Sequence, residues 1–124
     1  MHRIHVNALS GNFLNYAVAA CEYGDDWDHE ARVINITEPN DDGVVYQPAF
    51  NWKQGGPIIE ENKINIRYYE DLEPPEMHEP WDAYHTEYGD PSGGETALIA
   101  AMRAYVAMHC THLELTDEEY EDLL

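Results

Sequence analysis

The most apolar stretch of the sequence reads ALIAAMRAYVAM and covers residues 97–108. Arg103 is the single charged residue within it, so the segment has no polar face. A helix that is apolar nearly all round is buried on several sides. We therefore expect residues 97–108 to form a central helix around which the rest of the chain packs. Its five alanines (97, 100, 101, 104 and 107) allow neighbouring backbones to approach closely.

Capping patterns predict where this helix begins and where two others lie. The sequence GGET at residues 93–96 opens the central helix. An N-terminal helix is predicted to run from Ser10, a candidate N-cap, to Gly24, which suits a helix end. Thr116 and Glu119 form a capping-box pattern that predicts a short C-terminal helix.

Runs of β-forming residues predict a small sheet. We expect strands at residues 3–6, 32–37, 44–46 and 64–69, with the second and third joined as a hairpin by the turn signal NDDG at 40–43. Residues 48–57 are expected to be irregular, and the acidic stretch 70–90 to hold a last strand or an anchored loop. The sequence thus predicts an α+β fold in one domain, residues 1–124. In this fold, a small antiparallel sheet of three to five strands packs on the central buried helix, with an N-terminal helix and a short C-terminal helix.

The charge of the chain limits its partners. The 124 residues include 25 Asp and Glu against six Lys and Arg, which gives a formal charge of −19. This balance argues against binding nucleic acid through its phosphates and against docking on anionic membranes. The chain is nevertheless 44% hydrophobic, which is too apolar for a disordered acidic chain.

Targeting and redox features indicate a reducing cytoplasm. No apolar run approaches the ~20 residues of a membrane span. The first residues lack the basic-then-apolar pattern of a signal peptide. Cys21 and Cys110 both lie in apolar helical patterns, so we expect them to be reduced core residues.

Twenty of the 25 acidic residues lie in three clusters that contain no Lys or Arg. Five lie from Glu22 to Glu30, nine between Arg67 and Arg103, and six from Glu114 to Asp122. Such clusters create a negative potential around the molecule. They are explained either by solubility and adaptation to high salt, or by rows of carboxylates that imitate phosphates in front of a basic groove.

Three blocks of the sequence resemble the phage NinX-like family. The first is LSG at residues 9–11 with YAVA at 16–19, the second is WKQGGPIIE at 52–60, and the third is GETALIAAMRAYV at 94–106. The blocks follow in this order over nearly the whole chain. The resemblance implies a phage or prophage origin and an accessory role in the cytoplasm of the host cell, and it brings no catalytic residues.

Two glycine-containing segments are candidates for a small-ligand site. Gly55 and Gly56 could expose backbone N–H groups to an anion, or could form a tight turn. Residues 93–96 suit an anion at a helix start, or a capped helix without a ligand. If both converge with Trp52 and Arg103, they form a small-molecule pocket; otherwise Arg103 is expected to pair with an internal carboxylate. The candidate ligand-binding residues are Trp52, Gly55, Gly56, Thr96 and Arg103.

Metal binding and catalysis find little support in the sequence. Potential metal ligands fall in two groups, His109, Cys110 and His112, and His78, Glu79, Asp82 and His85. Neither group has the two separated ligand pairs of a zinc site or a helical pair of histidines. Ser10 and Ser92 are the only serines, and neither lies in a nucleophile motif. We therefore expect no metal, no cofactor and no enzymatic activity.

The leading hypothesis is a non-enzymatic, DNA-mimicking phage protein. It would block the basic nucleic-acid-binding site of a host defence effector, as an anti-CRISPR or anti-restriction inhibitor. The expected contacts are carboxylates of two clusters: Asp25, Asp26, Asp28, Glu30, Glu70, Asp71, Glu73, Glu76 and Glu79. Trp81 and Tyr84 are the expected apolar anchors inside that rim. The alternative is a small-ligand binder that sequesters a nucleotide-type signal, and a homodimer through the apolar helix stays open in either case.

Overall fold

The computed structural model of the chain describes residues 1–74 and 78–124. Within these residues the chain forms five α-helices and five strands. The helices are α1 (Gly11–Tyr23), α2 (His29–Thr37), α3 (Trp52–Asn62), α4 (Ala97–Ala107) and α5 (Asp117–Asp122). The strands are β1 (His2–His5), β2 (Asn65–Tyr68), β3 (Trp81–His85), β4 (Tyr88–Gly94) and β5 (His112–Leu115). Short 3₁₀ turns cover Val6–Ala8 and Gly24–Asp26.

The apolar segment forms the central buried helix that the sequence predicts. Leu98 and residues 100–106 of α4 are buried. The helix packs against β3 and β4, against α3, and against α1. A Cβ atom at Gly94 would lie 2.5 Å from the backbone nitrogen of Ala100, so the close approach of β4 to α4 requires a glycine there.

The strands form two antiparallel sheets. The first has the order β2-β3-β4, and Ala83 at its centre pairs with Ile66 on one side and Ser92 on the other. Ala83 and Ser92 are buried on the side that faces α4. The second sheet pairs β1 with β5, with Ile4 opposite Leu113. The predicted α+β class is confirmed, but the strands divide into two sheets because β1 pairs with β5, which the sequence did not predict.

Residues 32–37 form a helix, so the strand predicted there is wrong. Asp28 caps α2, and its carboxylate accepts the backbone N–H of Ala31 at 2.9 Å. Ile36 is fully buried, whereas Ile34 on the opposite side is 54% exposed. Residues with β-branched side chains fit a strand or a helix according to which positions are buried. Here the burial of a single helical face decides the structure.

The hairpin predicted over residues 32–46 is also wrong, although its turn forms. The side-chain oxygen of Asn40 accepts two backbone N–H groups of the following residues, at 2.9 and 3.0 Å. After the turn, residues 44–46 pair with no strand of the described chain. Instead, Tyr46 donates its backbone N–H to the carbonyl of Asn35 in α2 at 2.8 Å. The turn therefore returns the chain to a helix and not to a strand.

The irregular structure predicted for residues 48–57 is wrong from Trp52 onward, because α3 runs through the glycines and the proline, whereas residues 48–51 precede the helix without regular structure. Asn51 caps the helix by accepting a backbone N–H of the first turn at 2.9 Å. Gly55 is buried, and a Cβ atom there would lie 2.5 Å from the Cδ1 atom of Leu98. Glycine and proline usually interrupt a helix, but tertiary packing overrides that tendency. Gly55 and Gly56 therefore form neither an anion-binding loop nor a tight turn.

The predicted helix starts are confirmed, with one difference. Thr116 and Glu119 make both hydrogen bonds of a capping box. The hydroxyl of Thr96 accepts the backbone N–H of Ile99 at 3.1 Å. Ser10 occupies the N-cap position of α1, but its side chain makes no capping hydrogen bond.

The two cysteines are free, as predicted, and Cys21 is partly buried against the core. Burial raises the pKa of Cys21 to about 12, so its thiol is neutral. Cys110 is exposed beyond the end of α4, so its prediction as a core residue is wrong. No helix of the described chain has the length and apolar character needed to cross a bilayer.

Candidate binding surface at the start of the central helix

Two of the family-like blocks meet where α3 packs against α4. Gly55 of α3 touches Leu98 in the first turn of α4 and the backbone of Pro48, and a Cβ atom at Gly55 would collide with both. The missing side chain lets the two helices approach closely. This contact brings Trp52, at the start of α3, next to Thr96, the N-cap of α4. Two of the five predicted ligand-binding residues therefore converge.

A cavity of about 420 Å³ lies at this junction and is called the aromatic cleft below. Its principal lining residues are Phe50, Trp52, Trp81, Glu95, Thr96 and Leu98. Phe50 is 55% exposed and Trp52 is 56% exposed. Large apolar side chains grouped at a surface are a common feature of binding sites, because water solvates them poorly. The sequence did not indicate Phe50, whose only signal is an aromatic residue in a stretch read as irregular.

The aromatic cleft continues into an acidic rim. Trp81 contacts Tyr68 with the ring centres 4.8 Å apart. Tyr68 then lines an adjacent hollow of about 320 Å³ together with Glu70 and Asp71. Both carboxylates are exposed, and neither has a cationic partner in the described chain. The acidic rim, Glu70 and Asp71, therefore borders aromatic side chains, as the sequence analysis expects for Trp81.

Tyr84 lies on the opposite face of β3 from Trp81. Side chains alternate along a strand, and Ala83 points to the core with Trp81, which leaves Asp82 and Tyr84 on the outer face. The guanidinium of Arg67 lies 4.6 Å from the centre of the Tyr84 ring. The two predicted anchors therefore do not form one patch.

The carboxylate of Asp82 is paired with other side chains on that outer face. Arg67 donates two hydrogen bonds to its carboxylate, at 2.9 and 2.7 Å, and the Tyr69 hydroxyl donates a third at 2.8 Å. Partial burial alone would raise the pKa of Asp82, but these hydrogen bonds outweigh it and lower the pKa. Asp82 therefore links β3 to β2 and the residue that follows it, and its charge is not available to a partner.

Arg103 has a structural role outside the aromatic cleft. Its side chain is 9% exposed and donates to the carbonyls of Leu9 and Gly93 at 2.9 and 2.7 Å. It also forms an ion pair with Glu79 at 2.8 Å, and this carboxylate is the internal partner expected from the sequence. Arg103 does not line the aromatic cleft, and neither do Gly55 and Gly56. Three of the five predicted ligand-binding residues thus lie outside the cleft, where Arg103 serves hydrogen bonding and Gly55 serves helix packing.

The predicted partner-binding carboxylates differ in their surroundings. Asp28 caps α2, whereas Asp25, Asp26 and Glu30 are exposed around the start of that helix. Glu73 is exposed beyond the acidic rim, and Glu76 lies outside the described residues.

The acidic cluster at the C-terminal end of the chain is largely tied to neighbours. Arg3 contacts Glu114 at 3.3 Å, and His29 contacts Asp122 at 2.9 Å. Glu119 completes the capping box of α5. These side chains hold β5 and α5 against the rest of the molecule.

Two of the four histidines considered as metal ligands, His109 and His112, contact other groups. His109 packs edge-on against Tyr105, with ring centres 5.0 Å apart, and His112 lies 2.9 Å from the Thr111 hydroxyl. Burial, with Arg3 nearby, lowers the pKa of His112. In the described residues, no three His, Cys, Asp or Glu side chains are grouped so that they could hold a metal ion.

The comparison with protein families identifies the chain. The model of the family described as Bacteriophage P22, NinX matches residues 5–109, which include α1, α3, α4 and the whole aromatic cleft. The comparisons with curated proteins and with solved structures gave no significant match. Because the matched residues cover most of the chain, this protein belongs to the Bacteriophage P22 NinX family.

Proposed function

We propose that this phage protein is a non-enzymatic inhibitor that occupies the basic nucleic-acid-binding site of a host defence protein, of the anti-CRISPR or anti-restriction type. The observation that supports this function best is the junction of the aromatic cleft with the acidic rim. Trp81 and Tyr68 connect the two, and Glu70 and Asp71 carry charges that no cation in the described chain neutralises.

The chemistry of protein interfaces supports this reading. Binding energy concentrates in a few aromatic residues, and the surrounding charged rim adds specificity and speeds association. A net charge of −19 attracts a positively charged surface over several ångströms. Because nucleic-acid-binding sites are built to receive phosphates, rows of unpaired carboxylates can compete for them.

The test compares two double variants that change the charge equally. Glu70→Gln with Asp71→Asn neutralises the acidic rim, whereas Glu60→Gln with Glu61→Gln neutralises an exposed pair at the end of α3. Immobilised protein is incubated with host lysate at low salt, retained proteins are identified, and duplex DNA is added as a competitor. We expect the unaltered protein to retain a nucleic-acid-binding protein that DNA displaces.

The rim variant is expected to lose this retention and the control variant to keep it. Retention of no nucleic-acid-binding protein, or retention that DNA does not reduce, would refute the proposal. If both variants lose retention equally, net charge alone explains the binding, and the acidic rim is not the binding surface.

A second candidate function is sequestration of a small nucleotide-type ligand in the aromatic cleft. The cavity of about 420 Å³ is within the roughly 300–1,000 Å³ of ligand pockets, and Trp52 could stack on a base. A thermal-shift screen with nucleotides and cyclic dinucleotides tests it, with Trp52→Ala as the variant that should abolish stabilisation. A screen without any stabilising ligand would exclude this function.

A further inference from the structure

A second cavity lies on another part of the surface, between the end of α1, α2 and the extended chain that follows the turn at residues 40–43. Its volume is about 350 Å³, and it shares no lining residue with the aromatic cleft. The residues that define its chemistry are Glu22, Tyr23, Trp27, Asn35, Tyr46 and Gln54. We call it the Trp27 cavity.

Three aromatic rings surround the Trp27 cavity. Tyr23 and Trp27 stack with ring centres 3.8 Å apart and planes 13° apart. Tyr46 stands nearly perpendicular to both, at 5.6 and 5.4 Å. The Tyr46 hydroxyl is buried and has no hydrogen-bond partner in the described chain. Electron-rich ring faces of this kind attract organic cations.

Two polar side chains of the cavity, Glu22 and Asn35, offer acceptor atoms. Glu22 contributes a carboxylate, and its only described partner is the Tyr105 hydroxyl at 3.4 Å. Asn35 donates its amide N–H to a carbonyl of α2 at 2.8 Å, which leaves its side-chain oxygen without a donor among the described residues. Gln54 has both side-chain atoms engaged, at 2.6 and 2.9 Å. The cavity therefore offers acceptors and negative charge to a ligand.

Arg32, a cation of the neighbouring helix α2, does not occupy the cavity. Arg32 of α2 donates to the carbonyl of Gly24 at 2.8 Å and lies 5.5 Å from the centre of the Tyr16 ring. It is absent from the lining of the Trp27 cavity. Asp25 and Asp26 are exposed in the 3₁₀ turn that joins the lining residues Tyr23 and Trp27. They add negative charge next to these residues in the sequence.

We propose that the Trp27 cavity binds the guanidinium group of an arginine side chain on a partner protein. A guanidinium is planar and weakly hydrated, so it stacks on an aromatic face while its N–H groups donate to a carboxylate and an amide oxygen. An ammonium group is more strongly hydrated and lacks the planar surface. This inference deepens the proposed function and rests on it for the source of the arginine, since a nucleic-acid-binding site is rich in that residue.

The test titrates the whole protein with Nα-acetyl-arginine methylamide and follows the indole N–H resonance of Trp27 by NMR. The matched probes are the citrulline analogue, a neutral isostere, and the lysine analogue. We expect a saturable shift of the Trp27 resonance with the arginine probe, at least about tenfold weaker binding of the lysine probe, and no shift with citrulline.

Two variants make the result specific to the cavity. Glu22→Gln keeps an acceptor for the Tyr105 hydroxyl and alters an exposed side chain, so it should fold while weakening arginine binding about tenfold. Glu60→Gln removes the same charge from an exposed residue that lines neither cavity, so it should bind the arginine probe like the unaltered protein. Equal responses to arginine and citrulline, equal binding of lysine, or unchanged binding by Glu22→Gln would each overturn the inference. Because the titration uses no host protein, its failure leaves the capture experiment on the acidic rim unaffected.

Discussion

Replacing Gly55 by alanine would add one methyl group at the point where α3 meets α4. Inside a helix, this change normally stabilises a protein by up to about 1 kcal/mol, because glycine is a poor helix former. Here the added Cβ would lie 2.5 Å from Leu98 Cδ1 and would also collide with the backbone oxygen of Pro48. Leu98 can rotate, but a backbone carbonyl moves only with the chain around it.

The expected magnitude follows from these two opposing effects. Inserting a methyl group into a packed contact costs roughly 1–3 kcal/mol. After the gain in helix propensity, Gly55→Ala should lower the free energy of unfolding by up to about 2 kcal/mol. The neighbouring Gly56 is a matched control, because a Cβ there meets no atom within 4 Å. Gly56→Ala should raise the free energy of unfolding by up to about 1 kcal/mol.

Urea denaturation followed by circular dichroism measures both variants against the unaltered protein. The same samples report on the aromatic cleft through tryptophan fluorescence, because displacement of α3 moves Trp52 relative to α4. If Gly55→Ala proves as stable as Gly56→Ala, the close contact between α3 and α4 is wrong, and so is the aromatic cleft that depends on it.

Three further predictions concern hydrogen bonds and ion pairs elsewhere in the molecule. Arg103→Met should lower the free energy of unfolding by about 3 kcal/mol or more, because it leaves two carbonyls and a carboxylate without their donor. Glu79→Gln should cost about 1 kcal/mol or less, because that carboxylate is 44% exposed; equal losses in urea denaturation would contradict the assigned hydrogen bonds. Thr116→Ala should cost about 1 kcal/mol and speed hydrogen exchange in α5, and unchanged exchange would argue against the capping box. Asp82 has a pKa below its ordinary value, so its contact with Arg67 stabilises the fold above about pH 4 and is lost as the pH falls through the folded-state pKa. The stability difference between the unaltered protein and Asp82→Asn should therefore shrink between about pH 5 and pH 2, and a constant difference would refute the linkage.

Local sequence patterns predicted the structure best where a residue has only one favourable environment. The apolar segment at 97–108 has no polar face, so burial on all sides was its only stable arrangement. Thr96 and Thr116 cap the helices that follow them, because their hydroxyls satisfy N–H groups that a helix leaves open. Arg103, isolated in an apolar helix, had to find acceptors in the interior, and it did.

Local signals failed where tertiary contacts reversed a weak preference. The sequence of α3 contains two glycines and a proline, and a tertiary contact, the docking of Gly55 on Leu98, stabilises a helix there. The run at 32–37 suits a strand, and the burial of Ile36 makes it a helix. The pairing of β1 with β5 joins residues more than a hundred positions apart, and no local pattern encodes such a contact.

The sequence by itself determined the central helix, the α+β class, the family and the excess of negative charge, because these follow from composition, short-range periodicity and quoted blocks of residues. Only the tertiary structure decided which carboxylates remain available. It tied Glu79 to Arg103 and Asp82 to Arg67, left Glu70 and Asp71 exposed beside Tyr68, and separated Trp81 from Tyr84 on the two faces of one strand. The physical reason is that a charge acts on its partners through distance and burial, and both are set by how the chain packs.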